Sequence, residues 1–157
     1  MHHRSLITDH QFSMQYNAKT IRHLTKLIQG DEASYDWLRS HNFPELIQFY
    51  YAINGNEDAL NKLVKSKHVE IAAFTQAILD DKQAFNALAK NKKYTWAATV
   101  KVAYRDAKAE AWLMRYDLAH FAELGRALRK NLEAESKENV LGMMKKFMKV
   151  LARPFRK

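Results

Sequence analysis

Apolar residues in this chain fall at helical spacing in short runs, and the runs recur. From Glu32 to Asn131 the sequence divides without a gap into four segments of 25 residues: EASYDWLRSHNFPELIQFYYAINGN, EDALNKLVKSKHVEIAAFTQAILDD, KQAFNALAKNKKYTWAATVKVAYRD and AKAEAWLMRYDLAHFAELGRALRKN. The seventh position is always leucine, at Leu38, Leu63, Leu88 and Leu113. The third is small (Ser34, Ala59, Ala84, Ala109) and the fifteenth large and apolar (Leu46, Ile71, Trp96, Phe121). A short fixed period marks a pile of supersecondary units, none able to bury its apolar face alone.

Each segment predicts two helices. Its first seven or eight positions form a short helix with apolar residues at positions three, four and seven. Positions twelve to twenty-three form a longer one, in which Leu46, Phe49, Ala52 and Ile53, and then Ile71, Phe74, Ala77 and Ile78, share a face. Gly30 and Gly55 follow long helices, where a left-handed residue closes the last turn. Asn42, ahead of Phe43, Pro44 and Glu45, reads as a helix start. No stretch alternates with period two over the length of a strand, so an all-α protein is expected.

The ends depart from the period. Residues 1–17 show no helical spacing and read as an irregular lead-in. Residues 18–31 place Ile21, Leu24, Leu27 and Ile28 on one face, and LIQGDE parallels AINGNE in the next unit. This segment is the second helix of a degenerate first unit, an N-terminal capping helix. Residues 136–153 form a basic amphipathic helix, opened by Ser136 and stopped by Pro154. Val140, Leu141, Met143, Met144, Phe147, Met148, Val150 and Leu151 fill about half of its wheel, and Lys145, Lys146, Lys149 and Arg153 the rest. Its expected role is to close the last unit by covering Leu124 and Leu128. The alternatives are an anionic membrane surface or a partner's groove, with Met144, Lys145, Lys146, Phe147, Lys149 and Arg153 in contact.

The four matched segments resemble the α-solenoid class, which includes tetratricopeptide, HEAT and helical ankyrin-type stacks. The resemblance implies a right-handed stack of antiparallel helix pairs over residues 18–131, and a protein that binds other proteins or nucleic acids along an extended surface. The period of 25 is shorter than in those families and none of their signatures is present, so no functional residue is carried over.

At 157 residues and 47% hydrophobic content, the whole chain is expected to be one folded domain. It has no cysteine, which excludes disulfides, thiol nucleophiles and Cys-based metal sites. The opening MHHRSLITDH lacks the apolar stretch of a signal peptide, and a cytoplasmic protein is expected.

The net charge of +9 is uneven. Residues 1–81 have eight Lys or Arg against ten Asp or Glu, residues 82–136 eleven against six, and residues 137–157 seven against one. Within the repeats the charges sort by turn. Lys65, Lys67, Lys90, Lys92, Lys93 and Arg115, with His68, fall near the turns inside units; Asp31, Glu32, Glu57, Asp58, Asp80, Asp81 and Asp106 fall near the turns between units. Helix dipoles account for such sorting. The functional alternative is a basic edge that follows a phosphate backbone or an acidic protein, with Tyr94 and Trp96 beside Lys90, Lys92 and Lys93. None of the seven histidines belongs to a His-Glu-x-x-His motif, and no glycine-rich phosphate loop exists. The expectation is a non-enzymatic protein with no metal, cofactor or small-molecule substrate. Its partner is a macromolecule, expected to be a protein, with nucleic acid or an anionic membrane as alternatives.

Overall fold

The computed structural model describes residues 16–152, and the described residues are helical throughout apart from short turns. The expected lead-in to residue 15, together with Arg153 and Pro154, lies outside them. Eight short helices precede a long one: α1 (Ala18–Ile28), α2 (Glu32–Ser40), α3 (Pro44–Ile53), α4 (Glu57–Lys65), α5 (Val69–Ile78), α6 (Lys82–Lys90), α7 (Tyr94–Ala103), α8 (Ala107–Arg115) and α9 (Ala119–Ala152). The starts of α2, α4, α6 and α8 are 25 residues apart, and so are those of α3, α5, α7 and α9.

The boundaries have local causes. Asp31, Asn56, Asp81 and Asp106 occupy one repeat position, and each side chain accepts a hydrogen bond from a backbone N–H in the first turn of its helix. Of the seven acids near the turns between units, Asp31, Asp81 and Asp106 are therefore helix caps. One residue earlier the chain turns left-handed at Gly30, Gly55, Asp80 and Arg105. The N–H of the next residue then reaches back to a carbonyl five positions earlier, as from Asp31 to Lys26 and from Asp106 to Lys101.

Asn42, Lys92 and Asp117 are also left-handed and end α2, α6 and α8 in the same way. This corrects the reading of Asn42: it closes the helix before it, and Phe43 stands at the N-cap of α3 with no side-chain cap. Lys67 does not turn at the matching place. There Ser66 is extended, donates from Oγ to the Leu63 carbonyl at 2.7 Å and accepts from the His68 N–H at 3.1 Å.

The odd-numbered helices form the interior. Each packs on the next, from α1 to α3, α5, α7 and α9, and α9 packs broadly against α1, so the series closes on itself. Each even-numbered helix lies against the two odd-numbered helices that flank it in sequence. The segment expected to cap one end thus meets the opposite end of the chain. Phe49, Phe74, Trp96 and Phe121 form a continuous aromatic line through the centre, with successive ring centroids 5.2, 4.6 and 5.3 Å apart. Tyr16 meets Trp96 edge-on at 6.2 Å.

The four leucines of the seventh position are buried, as are the small residues at the third. Gly125 in α9 faces Val102 and Thr99 of α7, where a side chain would collide. That close approach fits the broad contact between these two helices.

Candidate docking helix and basic edge

The C-terminal segment does not begin at Ser136. It continues α9, a single helix of 34 residues from Ala119 to Ala152. The sequence explains why no turn intervenes. In a fifth unit the small position would be kept at Ala134, but the fourth position would fall on Glu135 and the leucine position on Glu138, so no apolar stripe exists to fold back onto α9. The stretch is instead rich in Leu, Met, Lys and Glu, which favour continued helix.

Leu124 and Leu128 are buried within the body, where α9 meets α7 and α1. The tail cannot cover them, because it runs straight on from them. Leu132 packs at the margin of the core, and from Ser136 to Ala152 every residue except Gly142 is exposed. This overturns the expectation that the tail closes the last unit. At about 1.5 Å per residue the exposed part is about 25 Å long.

Its apolar face is Val140, Leu141, Met143, Met144, Phe147, Met148, Val150 and Leu151, each between 52% and 71% exposed. Lys145, Lys146 and Lys149 are exposed on the opposite side. No helix among the described residues is long and apolar enough to cross a membrane. The root of the tail is tied to the body. The Arg105 guanidinium pairs with Glu133, and this hydrogen bond holds the Glu133 carboxyl below its usual range. About two helical turns back along α9, Arg126 pairs with Glu110 of α8. Because Arg105 belongs to the turn between α7 and α8, the tail leaves from the edge that carries the acidic caps.

The basic candidates lie at the opposite ends of the interior helices. Lys65, Lys67, Lys90, Lys92 and Arg115 are exposed. Lys93 is half-buried and its Nζ lies 2.6 Å from Glu70 Oε1, so its charge is matched within the body. Trp96 is only 1% exposed and belongs to the aromatic line, which removes it from any base-stacking surface; Tyr94 remains 45% exposed.

Three features had no place in the sequence reading. Beneath the basic edge, Glu45 is buried with Oε2 3.4 Å from His68 Nε2, and burial pushes its carboxyl up. The buried Tyr16 hydroxyl is also pushed up, by burial and then by Glu45 and Glu70. On α1 and α2, the Trp37 indole is sandwiched between the His23 and His41 rings, with centroids 4.0 and 3.9 Å away. Third, a groove of about 670 Å³ runs between α6 and α8, with Phe85, Tyr94 and Trp112 on its sides and Ala97 and Ala98 below. The sequence did not single it out, because the second unit carries the same pair of alanines, Ala72 and Ala73, at the matching places.

Comparison with protein-family models, with curated proteins and with solved structures gives no match to this chain. The functional reading therefore rests on geometry.

Proposed function

We propose that this chain is a non-enzymatic interaction or scaffolding module, in which short helix pairs of the α-solenoid kind make the body and the C-terminal helix makes the docking element. The observation that carries this reading is the uncovered apolar face from Val140 to Leu151. A contiguous apolar face of that size on a folded chain marks an interaction site. Closure of α9 onto α1 adds support, because it turns the interior helices toward a shared core. An open stack would offer those helices to a partner as a concave surface; this body offers its outer faces and its tail. The right-handed sense of the stack and a cytoplasmic location belong to the same proposal.

Truncation after Lys137 tests it. The shortened chain should keep its helical signature and its melting temperature, because the removed residues bury nothing. It should lose whatever the full chain retains from native lysate, compared with and without nuclease. Unfolding on truncation, or retention of the same material by both forms, would overturn the reading.

The basic edge supports a second proposal, nucleic-acid binding, through the exposed Lys65, Lys67, Lys90 and Lys92. Changing these four to Glu, while keeping Lys93 on Glu70, should abolish retention on nucleic acid at low salt. Unchanged retention removes the edge as a contact.

A further inference from the structure

We infer that the surface on which the C-terminal helix docks is an anionic phospholipid bilayer, with the helix lying in the plane of the interface; the inference rests on the docking role proposed above. At about 100° per residue, the apolar side chains from Val140 to Leu151 span about 180° of the helix circumference. A coiled-coil seam uses a narrow stripe of two positions in seven, and a helix held in a protein groove presents one line of anchors. Either partner would leave part of this arc in water. A lipid interface wets all of it. The stretch is too short and too charged to cross a bilayer, which leaves the in-plane arrangement.

Charge selects the kind of lipid. Between Lys137 and Ala152 there are four lysines and one acid, Glu138, and Lys145, Lys146 and Lys149 share the arc that the apolar residues leave. Lysines so placed meet anionic headgroups as the apolar face sinks between the chains. Position on the body confines the contact to the tail. The helix leaves beside Arg105, at the edge capped by Asp31, Asp81 and Asp106, and those acids oppose approach of the body itself to an anionic surface.

The test is sedimentation of the full chain with vesicles of phosphatidylcholine, either alone or with phosphatidylserine as about a quarter of the lipid, a composition that mimics an anionic leaflet. The full chain should bind the mixed vesicles, bind pure phosphatidylcholine far more weakly, and release as salt rises. Met144→Glu with Phe147→Glu should abolish binding without altering the melting temperature, since both residues are exposed. Each of Lys145→Glu, Lys146→Glu and Lys149→Glu should weaken binding by about fivefold or more.

Equal sedimentation by parent and by the Met144→Glu, Phe147→Glu double variant would overturn the inference, as would equal binding to both vesicle types. If the parent ignores both vesicles but forms a dimer that the double variant dissolves, the tail is a docking element for a second copy and the lipid assignment fails alone. If it ignores both vesicles and instead retains a protein or nucleic acid that the double variant releases, the lipid assignment again fails alone. If truncation after Lys137 unfolds the chain, the docking role falls with it.

Discussion

Between Phe121 and Leu128, α9 buries every apolar side chain it has, whereas between Val140 and Leu151 the same helix leaves each of them more than half exposed. Both stretches space their apolar residues at helical intervals, so periodicity does not separate them. The difference is neighbours. The first stretch is flanked by α7 and α1, and the second has run past both. An amphipathic pattern states that a face will be covered by something; it does not state that the cover comes from the same chain.

The largest effect expected from breaking this contrast is at Trp96, which links Phe74 to Phe121 and is almost fully buried. Trp96→Ala should cost about 3–5 kcal/mol, read as a large drop in melting temperature. Phe147→Ala, removing an exposed aromatic ring from the tail, should stay within about 0.5 kcal/mol of the parent. Equal losses from the two would show that the tail is packed after all. Leu63→Ala and Leu88→Ala should each cost about 2–5 kcal/mol, because both leucines are buried at matched places on α4 and α6. Denaturant unfolding of the pair would check that the units contribute alike.

What could be read from the chain alone follows the range of each cause. Helix identity, the buried leucine position, and the left-handed Gly30 and Gly55 depend on residues close in sequence, and all were visible there. Asp80 and Arg105 were not, since neither residue type demands a positive φ; they turn left-handed because capping and stacking of the next helix outweigh the local strain. Closure of the ring is the longest-range feature, a contact between Ala18–Ile28 and the last helix, and no periodicity can encode it. The tail falls between. Its amphipathic face was plain, and its failure to fold back was foreshadowed by Glu138 at the leucine position. Of the basic edge, Lys65, Lys67, Lys90, Lys92 and Arg115 are exposed, and the pairing of Lys93 with Glu70 needed coordinates.

Two glycines in α9 sharpen the comparison with opposite signs. A Cβ on Gly125 would stand 2.7 Å from both Cβ and Cγ1 of Val102 and 3.1 Å from the Thr99 carbonyl oxygen. Gly125→Ala should therefore destabilise by about 1–3 kcal/mol through overpacking, in spite of alanine's better helix propensity. Around Gly142 there is nothing within 4 Å. Gly142→Ala should strengthen the tail helix by about 1 kcal/mol, seen as slower amide exchange from residues 138–150 with no change in the body. Matching signs at the two sites would contradict the division of α9 into a packed and an unpacked part.

The smallest effect expected lies inside the body, at the buried carboxyl of Glu45. Burial raises its pKa and outweighs the opposing pull of His68 and of a hydrogen bond from the backbone. The folded state therefore holds this proton more tightly than the unfolded chain does. By linkage, the stability associated with the group is complete below the ordinary glutamate range and is lost as pH rises through the raised folded value. Above that value the side chain carries a charge in a place that disfavours one, with the His68 ring 3.4 Å away as its partner. Glu45→Gln preserves the shape and an oxygen for that contact while removing the ionisation. The variant should melt slightly above the parent near pH 7, and the gap should close near pH 4, where the parent's carboxyl is itself neutral. Exposed tail carboxylates provide the contrast, since Glu138→Gln should shift the melting temperature at neither pH. A Glu45→Gln variant that melts below the parent at neutral pH would mean that the contact with His68 outweighs the burial of the carboxylate.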